Sequence, residues 1–339
     1  MNADNPASAV SPRILTRDFS RLLPVYGMPV LLLGLIVFFS VLLPDSFPTL
    51  LNLNSILGDK VIIAILALAA MVPMLTNKID LTVGYGIVLW HILAISLQTR
   101  YGFSWQASVL IVLAAGLLFG LINGLLVEMA RIDSFIATLG TGTVVYALAL
   151  WHSGGRQVFG DLPEGFLLLN GASLFGLPIA AFYVLGLALL LWVVTEYLPI
   201  GRFLYAIGAN PKAAELNGIP CRRYVVGAFM GSGVLTAFAG VLLASRLQIG
   251  QASVGLEFLL PALVGAFLGS TTIKPGRVNV WGTLIGVAVL AVGIAGIQQL
   301  GGAFFVEPLF NGVTLLLAIG IAGYAGRRRV RVRNTPAKP

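Results

Sequence analysis

The fold of this chain is constrained most by its long apolar segments, which carry almost no charged side chains. A helix needs about 20 mainly apolar residues to cross roughly 30 Å of hydrocarbon. Seven segments reach that length: 22–43, 107–130, 135–152, 174–198, 224–245, 278–297 and 308–325. Three shorter runs qualify if the helix is little tilted or is broken inside protein: 61–76, 83–97 and 258–273. The sequence therefore predicts an all-α polytopic membrane protein with about ten transmembrane helices, some short or broken.

The composition excludes an ordinary soluble domain. Hydrophobic residues make up 58% of the 339 residues and charged residues 10%, whereas soluble domains carry about 25% charged residues. The first apolar run is too long for the apolar region of a signal peptide, so it is interpreted as a retained span. The single cysteine, Cys221, excludes an internal disulfide, and no Cys/His spacing indicates a metal site.

The basic residues predict which side of the membrane each loop occupies. An even number of spans places both termini on the same side, and short basic loops stay in the cytoplasm. The net charge of +8 is scattered over short loops and chain ends, which favours a topology signal over nucleic-acid binding. The predicted cytoplasmic residues are Arg13, Arg17, Arg21, Lys78, Arg131, Arg202, Lys212, Arg222, Arg223, Lys274, Arg277, Arg327, Arg328, Arg329, Arg331, Arg333 and Lys338; the opposite side holds Lys60, Arg100, Arg156 and Arg246.

These assignments divide the chain into three parts. Residues 1–21 form a cytoplasmic N-terminal tail, residues 22–326 a transmembrane domain, and residues 327–339 a basic cytoplasmic C-terminal tail. Within the transmembrane domain, residues 199–223 form the longest cytoplasmic loop.

This loop contains the signals of a short helix. Asn210 suits an N-cap and Pro211 a first turn, while Gly218 and Pro220 end the segment. The helix is predicted to expose Ala213, Ala214, Leu216 and Ile219, which would dock into a groove on a soluble partner. The alternative is a helix that lies flat on the membrane surface.

Two further segments interrupt the apolar pattern. Residues 77–84 separate the runs 61–76 and 83–97, and they fit either two short helices that meet at membrane depth or a tight cytoplasmic turn with Lys78 beside Asp80. Residues 269–277 combine glycine, proline and hydroxyl side chains, which indicate a loop whose backbone is bonded by side chains.

Glycines and polar residues inside the spans have separate roles. Glycines four residues apart predict close helix packing: Gly116, Gly120 and Gly124; Gly227 and Gly231; Gly282 and Gly286. Polar side chains in spans must face other helices or a water-filled cavity. The candidates for a pathway or gate, at the breaks and in the spans, are Asp80, Thr82, Tyr85, His91, Asn123, Thr138, Thr141, Ser270 and Thr271.

The sequence carries no catalytic or ATP-binding motif. It contains no GxxxxGK[ST], HExxH or GxSxG pattern, so the chain is expected to be neither an ATPase nor another enzyme. The acidic residues near membrane depth are too few for a proton relay. If transport consumes energy, a separate subunit is expected to supply it.

Five blocks of the sequence resemble a known family. They are IDLTVG at 79–84, FIATLGT at 135–141, GRFLYAIGANPKAAELNGI at 201–219, GVLLASRL at 240–247 and GRVNVWGTLIG at 276–286. In this order and spacing they resemble the ATP-binding-cassette permeases that import monosaccharides such as ribose, xylose and galactosides. The resemblance covers roughly residues 50–325.

The resemblance implies a function and a set of partners. It implies a permease dimer in the bacterial inner membrane, a cytoplasmic ATPase that binds ATP and Mg²⁺ and usually has two nucleotide-binding domains, and a periplasmic sugar-binding protein. No cofactor or metal is expected in this chain. The short helix would couple to the ATPase through Asn210, Lys212, Ala213, Ala214, Glu215, Leu216, Gly218 and Ile219. Arg156 and Arg246 are candidates for docking the binding protein through a rim contact.

The chain also departs from the family pattern. Asn77 and Lys78 stand where the family has two glycines, Tyr85 stands where it has serine, and the block Gly-Gly-Thr-Ser is replaced at residues 268–271. Bulkier residues at the breaks are expected to alter the shape of the pathway. The alternative function is a stand-alone secondary transporter or facilitator of small polar solutes.

Overall fold

The apolar segments fold into long helices in the computed structural model, which describes residues 14–302 and 305–316. The helices are α1 (Ile14–Leu42), α2 (Leu50–Met74), α3 (Thr82–Thr99), α4 (Trp105–Glu128), α5 (Ser134–Ser153), α6 (Glu164–Gly171), α7 (Ile179–Glu196), α8 (Pro199–Ala209), α9 (Pro211–Leu216), α10 (Cys221–Leu247), α11 (Leu259–Leu268) and α12 (Val280–Gln299). A 3₁₀ turn, Leu256–Phe258, precedes α11, and residues 306–316 are helical.

Eight of the helices are long and apolar enough to cross a membrane. They are α2, α3, α4, α5, α7, α10, α12 and the part of α1 from Val25 to Leu42. In the run 258–273, predicted as a short span, the regular helix is the 10-residue α11, which at 1.5 Å per residue covers about 15 Å, half of the hydrocarbon thickness. The tenth predicted span, 308–325, and both predicted tails lie partly or wholly outside the described residues.

Two span boundaries differ from the prediction for local reasons. The run 61–76 is not short, because α2 begins at Leu50, where the Thr49 hydroxyl accepts a bond from the Asn52 amide at 3.2 Å. The span predicted at 174–198 begins only at Ile179. Its first residues form an antiparallel hairpin, β1 (Ser173–Leu174) and β2 (Leu177–Pro178), which pairs Ser173 with Pro178 and Leu174 with Leu177.

The centre of the molecule is formed by four helices. Most of the membrane-length segments of α2, α3, α10 and α12 is buried, whereas a third or less of the corresponding segments of α1, α4, α5 and α7 is buried. From Val61 to Pro73, every residue of α2 is buried. Helices that are apolar on all sides suit either a protein core or lipid, so the apolar segments of this chain divide between the two environments.

The helix ends separate the charged residues into two groups. Helices α2, α4 and α7 end, and α3, α5, α10 and α12 begin, at one end of the bundle. We call this end the basic end. Among the described residues, this end carries Lys78, Arg131, Arg202, Lys212, Arg222, Arg223, Lys274 and Arg277. At the opposite end Lys60 pairs with Glu307 at 3.0 Å and Arg246 pairs with Asp59. The division of basic residues predicted from the sequence therefore corresponds to two physical ends.

Glycine packing is confirmed for some of the predicted positions. A Cβ on Gly120 would lie 2.3 Å from the Phe229 carbonyl oxygen, and one on Gly116 would lie 2.5 Å from that of Gly233, so α4 and α10 meet backbone to backbone. Gly124, Gly282 and Gly286 are equally close to neighbours. The prediction is wrong for Gly227, which faces open space, and Gly231 has one ordinary contact, at 3.8 Å.

Candidate functional site

The first helix break is folded into the protein around Asp80. The Asp80 side chain is 1% exposed. It accepts hydrogen bonds from the Thr82 amide at 2.9 Å, from the Thr82 hydroxyl, and from the Ser232 hydroxyl at 2.7 Å. Since Ser232 belongs to α10, the carboxylate joins the start of α3 to the interior of that helix.

This hydrogen-bond network continues into α4 and α5. The Asn123 side-chain nitrogen donates to the Thr82 hydroxyl at 3.2 Å, and the Thr141 hydroxyl donates to the Asn123 side-chain oxygen at 2.7 Å. Beside it, the Leu81 amide donates to the Thr138 hydroxyl at 3.1 Å. The structure therefore brings together five predicted pathway residues and adds Ser232, which the sequence did not single out from the small residues around it.

The structure has a short turn at this break, over residues 75–81, and not the pair of short helices of the other sequence alternative. Both α2 and α3 are long enough to span a membrane, so the break does not join two half-helices. In this turn the Lys78 ammonium lies 3.9 Å from the Glu128 carboxylate. Among the described residues, no group of three His, Cys, Asp or Glu side chains could hold a metal ion. The hydrogen bonds around Asp80 fix α3, α4, α5 and α10 relative to one another.

Tyr85 and His91 lie outside this network. Tyr85 packs against α5, where a Cβ on Gly142 would lie 2.7 Å from the Tyr85 ring. His91 has Nδ1 2.9 Å from the Ile87 carbonyl oxygen, and its Nε2 lies 3.1 Å from the backbone nitrogen and oxygen of Gln251. His91 therefore holds a different segment against α3.

That segment, residues 248–258, is irregular, and the sequence analysis did not predict it. It leaves α10 at the opposite end and follows α3 towards the first break: a Cβ on Gly250 would contact Ile92, one on Gly255 would contact Val88, and Leu259 lies against Gly84. Gly255 has φ +130, which favours glycine. Irregular backbone at membrane depth is stable where it is buried in protein or lines a water-filled cavity. Gly250 and Gly255, which lie between two apolar runs, were the sequence signal that could have identified this segment.

A cavity of 360 Å³ opens where this segment meets the end of α5. Polar lining comes from Arg156, Gln157, Gln251 and Ser253. The Gln157 amide donates to the Gln251 side-chain oxygen at 2.8 Å, beside a backbone bridge between Val158 and Gly250. Of the two candidate docking residues, Arg156 is exposed at this cavity. Arg246 is also exposed, but its guanidinium is paired within the chain with Asp59 and with the Gly58 carbonyl.

The second break, residues 269–279, is bonded locally by side chains, as predicted. The Ser270 and Thr271 hydroxyls donate to the Phe267 and Leu268 carbonyls at 2.7 and 2.8 Å. The Asn279 side-chain nitrogen donates to the Gly269 carbonyl at 2.7 Å and to the Thr272 carbonyl at 3.0 Å. Ser270 and Thr271 therefore end α11 and are not part of the Asp80 network.

The predicted short helix at the basic end is confirmed as α9. The Asn210 side chain accepts from the Ala213 amide at 3.1 Å, and Gly218 leaves the helix with φ +78. Leu216 is 81% exposed, and Lys212 and Glu215 are exposed beside it. The expected exposure is wrong for Ala214, which is 4% exposed in a cluster with Ile207, Cys221, Val225 and Phe229. Ala213 and Ile219 are half-buried, and Ile219 packs against the same cluster.

Comparison with known proteins identifies relatives along most of the chain. The family described as branched-chain amino acid transport system / permease component matches residues 52–322. The ribose import permease protein RbsC of Bacillus subtilis is 32% identical over 292 residues, 86% of this chain and 90% of the relative. That of Haemophilus influenzae is 28% identical over 304 residues, 89% of this chain and 94% of the relative.

A third relative has a different sugar in its name. The galactose/methyl galactoside import permease protein MglC of Escherichia coli is 28% identical over 317 residues, 88% of this chain and 92% of the relative. No solved structure matches the chain. The family match over residues 52–322, the ribose permease relative and the eight membrane-length helices establish that this multi-pass membrane protein belongs to the family of transport-system permease components.

Proposed function

We propose that this chain is the permease subunit of an ATP-binding-cassette importer that moves a sugar or sugar-like small polar solute across the bacterial inner membrane. The observation that carries the proposal is the 32% identity to a ribose import permease over 86% of the chain. Other relatives are named for allose and for galactosides. The family description names branched-chain amino acids, but these relatives favour a hydroxylated solute as the cargo.

The orientation follows from the basic end. Short basic loops stay on the cytoplasmic side, so α9, both breaks and the two termini face the cytoplasm in a ten-span arrangement. The opposite end, with the cavity beside Arg156, then faces the periplasm and receives a sugar-binding protein. A second copy of the permease completes the pathway. The ATPase, with its ATP and Mg²⁺, is a separate subunit.

The geometry of α9 supports this partner. A capped helix whose buried Ala214 anchors it to the bundle presents Leu216 outward between charged neighbours. An exposed apolar side chain on a fixed helix suits insertion into a groove of a second protein. In this role Asn210 shapes the helix, while Lys212, Glu215 and Leu216 contact the ATPase.

The cavity at the opposite end supports the entry of a polar solute. Its volume of 360 Å³ lies at the lower end of the roughly 300–1,000 Å³ range of ligand pockets. Amide, guanidinium and hydroxyl groups in its lining can exchange hydrogen bonds with a hydroxylated solute. A solute released there would lie beside segment 248–258, which leads along α3 to the Asp80 network.

Reconstitution tests the proposal against the stand-alone alternative. Liposomes that contain the permease, its ATPase and the binding protein are expected to accumulate D-ribose, D-allose or D-galactose when ATP is enclosed. Liposomes with the permease alone are expected to accumulate none. Uptake by the permease alone, without ATP, would contradict the proposal and support a secondary transporter.

A substitution on α9 tests the coupling role. We expect Leu216→Ser to weaken co-purification of the ATPase and to reduce ATP-dependent uptake by about tenfold, because burial of one leucine side chain contributes about 1.5–3 kcal/mol. The matched control is Phe175→Ser, which removes an apolar side chain that is 90% exposed on the hairpin at the opposite end. Equal effects of the two substitutions would argue against α9 as the contact.

A further inference from the structure

Helix α8 lies between α9 and both helix breaks, and neither the sequence patterns nor the coupling role of α9 accounts for it. It spans Pro199–Ala209 and is joined to α9 by Asn210 alone. Its buried residues are Gly201, Leu204 and Ile207, so one face is packed against the bundle. Three separate contacts hold α8 in place.

The first contact joins α8 to the second break. The Tyr205 hydroxyl donates to the Val278 carbonyl oxygen at 3.0 Å, and the Arg277 guanidinium lies 3.6 Å from the centre of the Tyr205 ring. Burial and the Glu196 carboxylate raise the pKa of the Tyr205 phenol, so the hydroxyl keeps its proton and remains a donor. An ion pair between Lys274 and Glu196 holds the same break to the end of α7.

The second contact joins α8 to the first break. A Cβ on Gly208 would lie 2.2 Å from the Leu75 carbonyl oxygen and 3.3 Å from Thr76 Cα. The two backbones therefore touch directly. No flexible side chain lies between them to absorb a movement of α8.

The third contact joins α8 to α9. Ile207 of α8 and Ala214 of α9 are buried in one cluster with Val127 of α4 and Phe229 of α10. Asn210 both ends α8 and caps α9. A displacement of α9 is therefore transmitted to α8 as a movement of one packed unit.

We propose that α8 is the mechanical linkage that transmits movement of α9 to both helix breaks, with Tyr205 as the positioning residue that moves the loop between α11 and α12. The inference rests on the proposed function, in which an ATPase moves α9. Coupling between distant sites is carried by packed side chains, hydrogen bonds and rigid elements that change position together. Here one helix contacts the input and both outputs.

The test compares two tyrosine substitutions in the reconstituted permease, ATPase and binding-protein complex. Tyr205→Phe removes the hydroxyl, with its bond to the Val278 carbonyl and its contacts with the Arg277 and Thr195 side chains, and keeps the ring under Arg277. Tyr224→Phe is the matched control: the Tyr224 ring packs on Phe203 at 5.2 Å, and its hydroxyl has no hydrogen-bond partner among the described residues. ATP hydrolysis and sugar uptake are measured on the same liposomes, together with the amount of assembled complex.

We expect Tyr205→Phe to leave assembly and ATP hydrolysis unchanged and to lower the uptake per ATP hydrolysed by about fivefold, the effect of one neutral hydrogen bond. Tyr224→Phe is expected to keep the wild-type ratio. Arg277→Gln, which removes the cation above the ring, is expected to lower the ratio in the same direction. A purely structural role would lower the amount of complex and leave the ratio unchanged.

The outcomes separate the two proposals. If the wild-type complex imports sugar and the Tyr205→Phe and Arg277→Gln variants keep its uptake per ATP, the linkage is wrong and the proposed function stands. If the wild-type complex shows no ATP-driven uptake, the proposed function fails and the linkage fails with it.

Discussion

Asp80 shows how one buried carboxylate can be accommodated in a chain with few charges. Burial of an unpaired acceptor is costly, but its oxygens accept bonds from the Thr82 amide, the Thr82 hydroxyl and the Ser232 hydroxyl. Hydroxyl and amide donors replace water without bringing a second charge into the core. The side chain thereby fixes the start of α3 relative to α10.

We expect Asp80→Ala to lower the stability of the permease by about 2 kcal/mol, because it leaves the buried Thr82 amide without an acceptor. Asp80→Asn keeps one acceptor oxygen and is expected to have a smaller effect. The measurement is the thermal unfolding midpoint in detergent, followed by tryptophan fluorescence.

The control for this prediction is Asp133→Ala. Asp133 caps α5 by accepting from the Phe135 amide at 3.0 Å, in an exposed position. Loss of such a cap costs about 1 kcal/mol. A midpoint lowered more by Asp133→Ala than by Asp80→Ala would contradict the importance of the buried network.

At the scale of elements, the contact between α4 and α10 depends on which glycines face each other. Spacing alone predicted Gly116, Gly120 and Gly124, and these positions do touch α10. The same spacing suggested Gly227, which faces open space, whereas Gly233 meets the Gly116 carbonyl. A period of four residues identifies a stripe on a helix, but the partner's position decides whether the stripe is used.

We expect Gly120→Ala to destabilise the α4–α10 contact by about 1–3 kcal/mol, because the new methyl group would lie 2.3 Å from the Phe229 carbonyl oxygen. Gly227→Ala is the control, since nothing lies within 4 Å of its Cβ position. Size-exclusion chromatography and thermal unfolding measure the fraction that remains folded. Equal loss in both variants would show that these helices do not meet as described.

Much of the element order was predictable from local signals. Apolar segment length identified the eight membrane-length helices, and the Asn210 cap with Gly218 identified α9, because these signals are local in the sequence. Ser232, α8 and segment 248–258 were missed. Their roles arise where distant parts of the chain meet, as between Gln251 and His91 or Tyr205 and Val278, and no local pattern encodes such a contact.

At the scale of the whole molecule, the two ends predict a sidedness that labelling can measure. In cells that make the permease without its ATPase, we expect Lys212→Cys to react with a membrane-impermeant maleimide only after the cells are permeabilised, and Arg156→Cys to react in intact cells. The unsubstituted chain is the control, since its single cysteine, Cys221, is buried. Reaction of Lys212→Cys in intact cells would reverse the proposed orientation of the whole protein.

The burial of α2 has a consequence for how the protein is made. The helices that cover it include α10 and α12, which leave the ribosome much later than Val61–Pro73. During synthesis, α2 therefore contacts lipid before the later helices pack around it. A helix that is apolar on all sides is stable both in lipid and in a protein core. The apolar side chains of α2 therefore suit its transient exposure to lipid as well as its final burial.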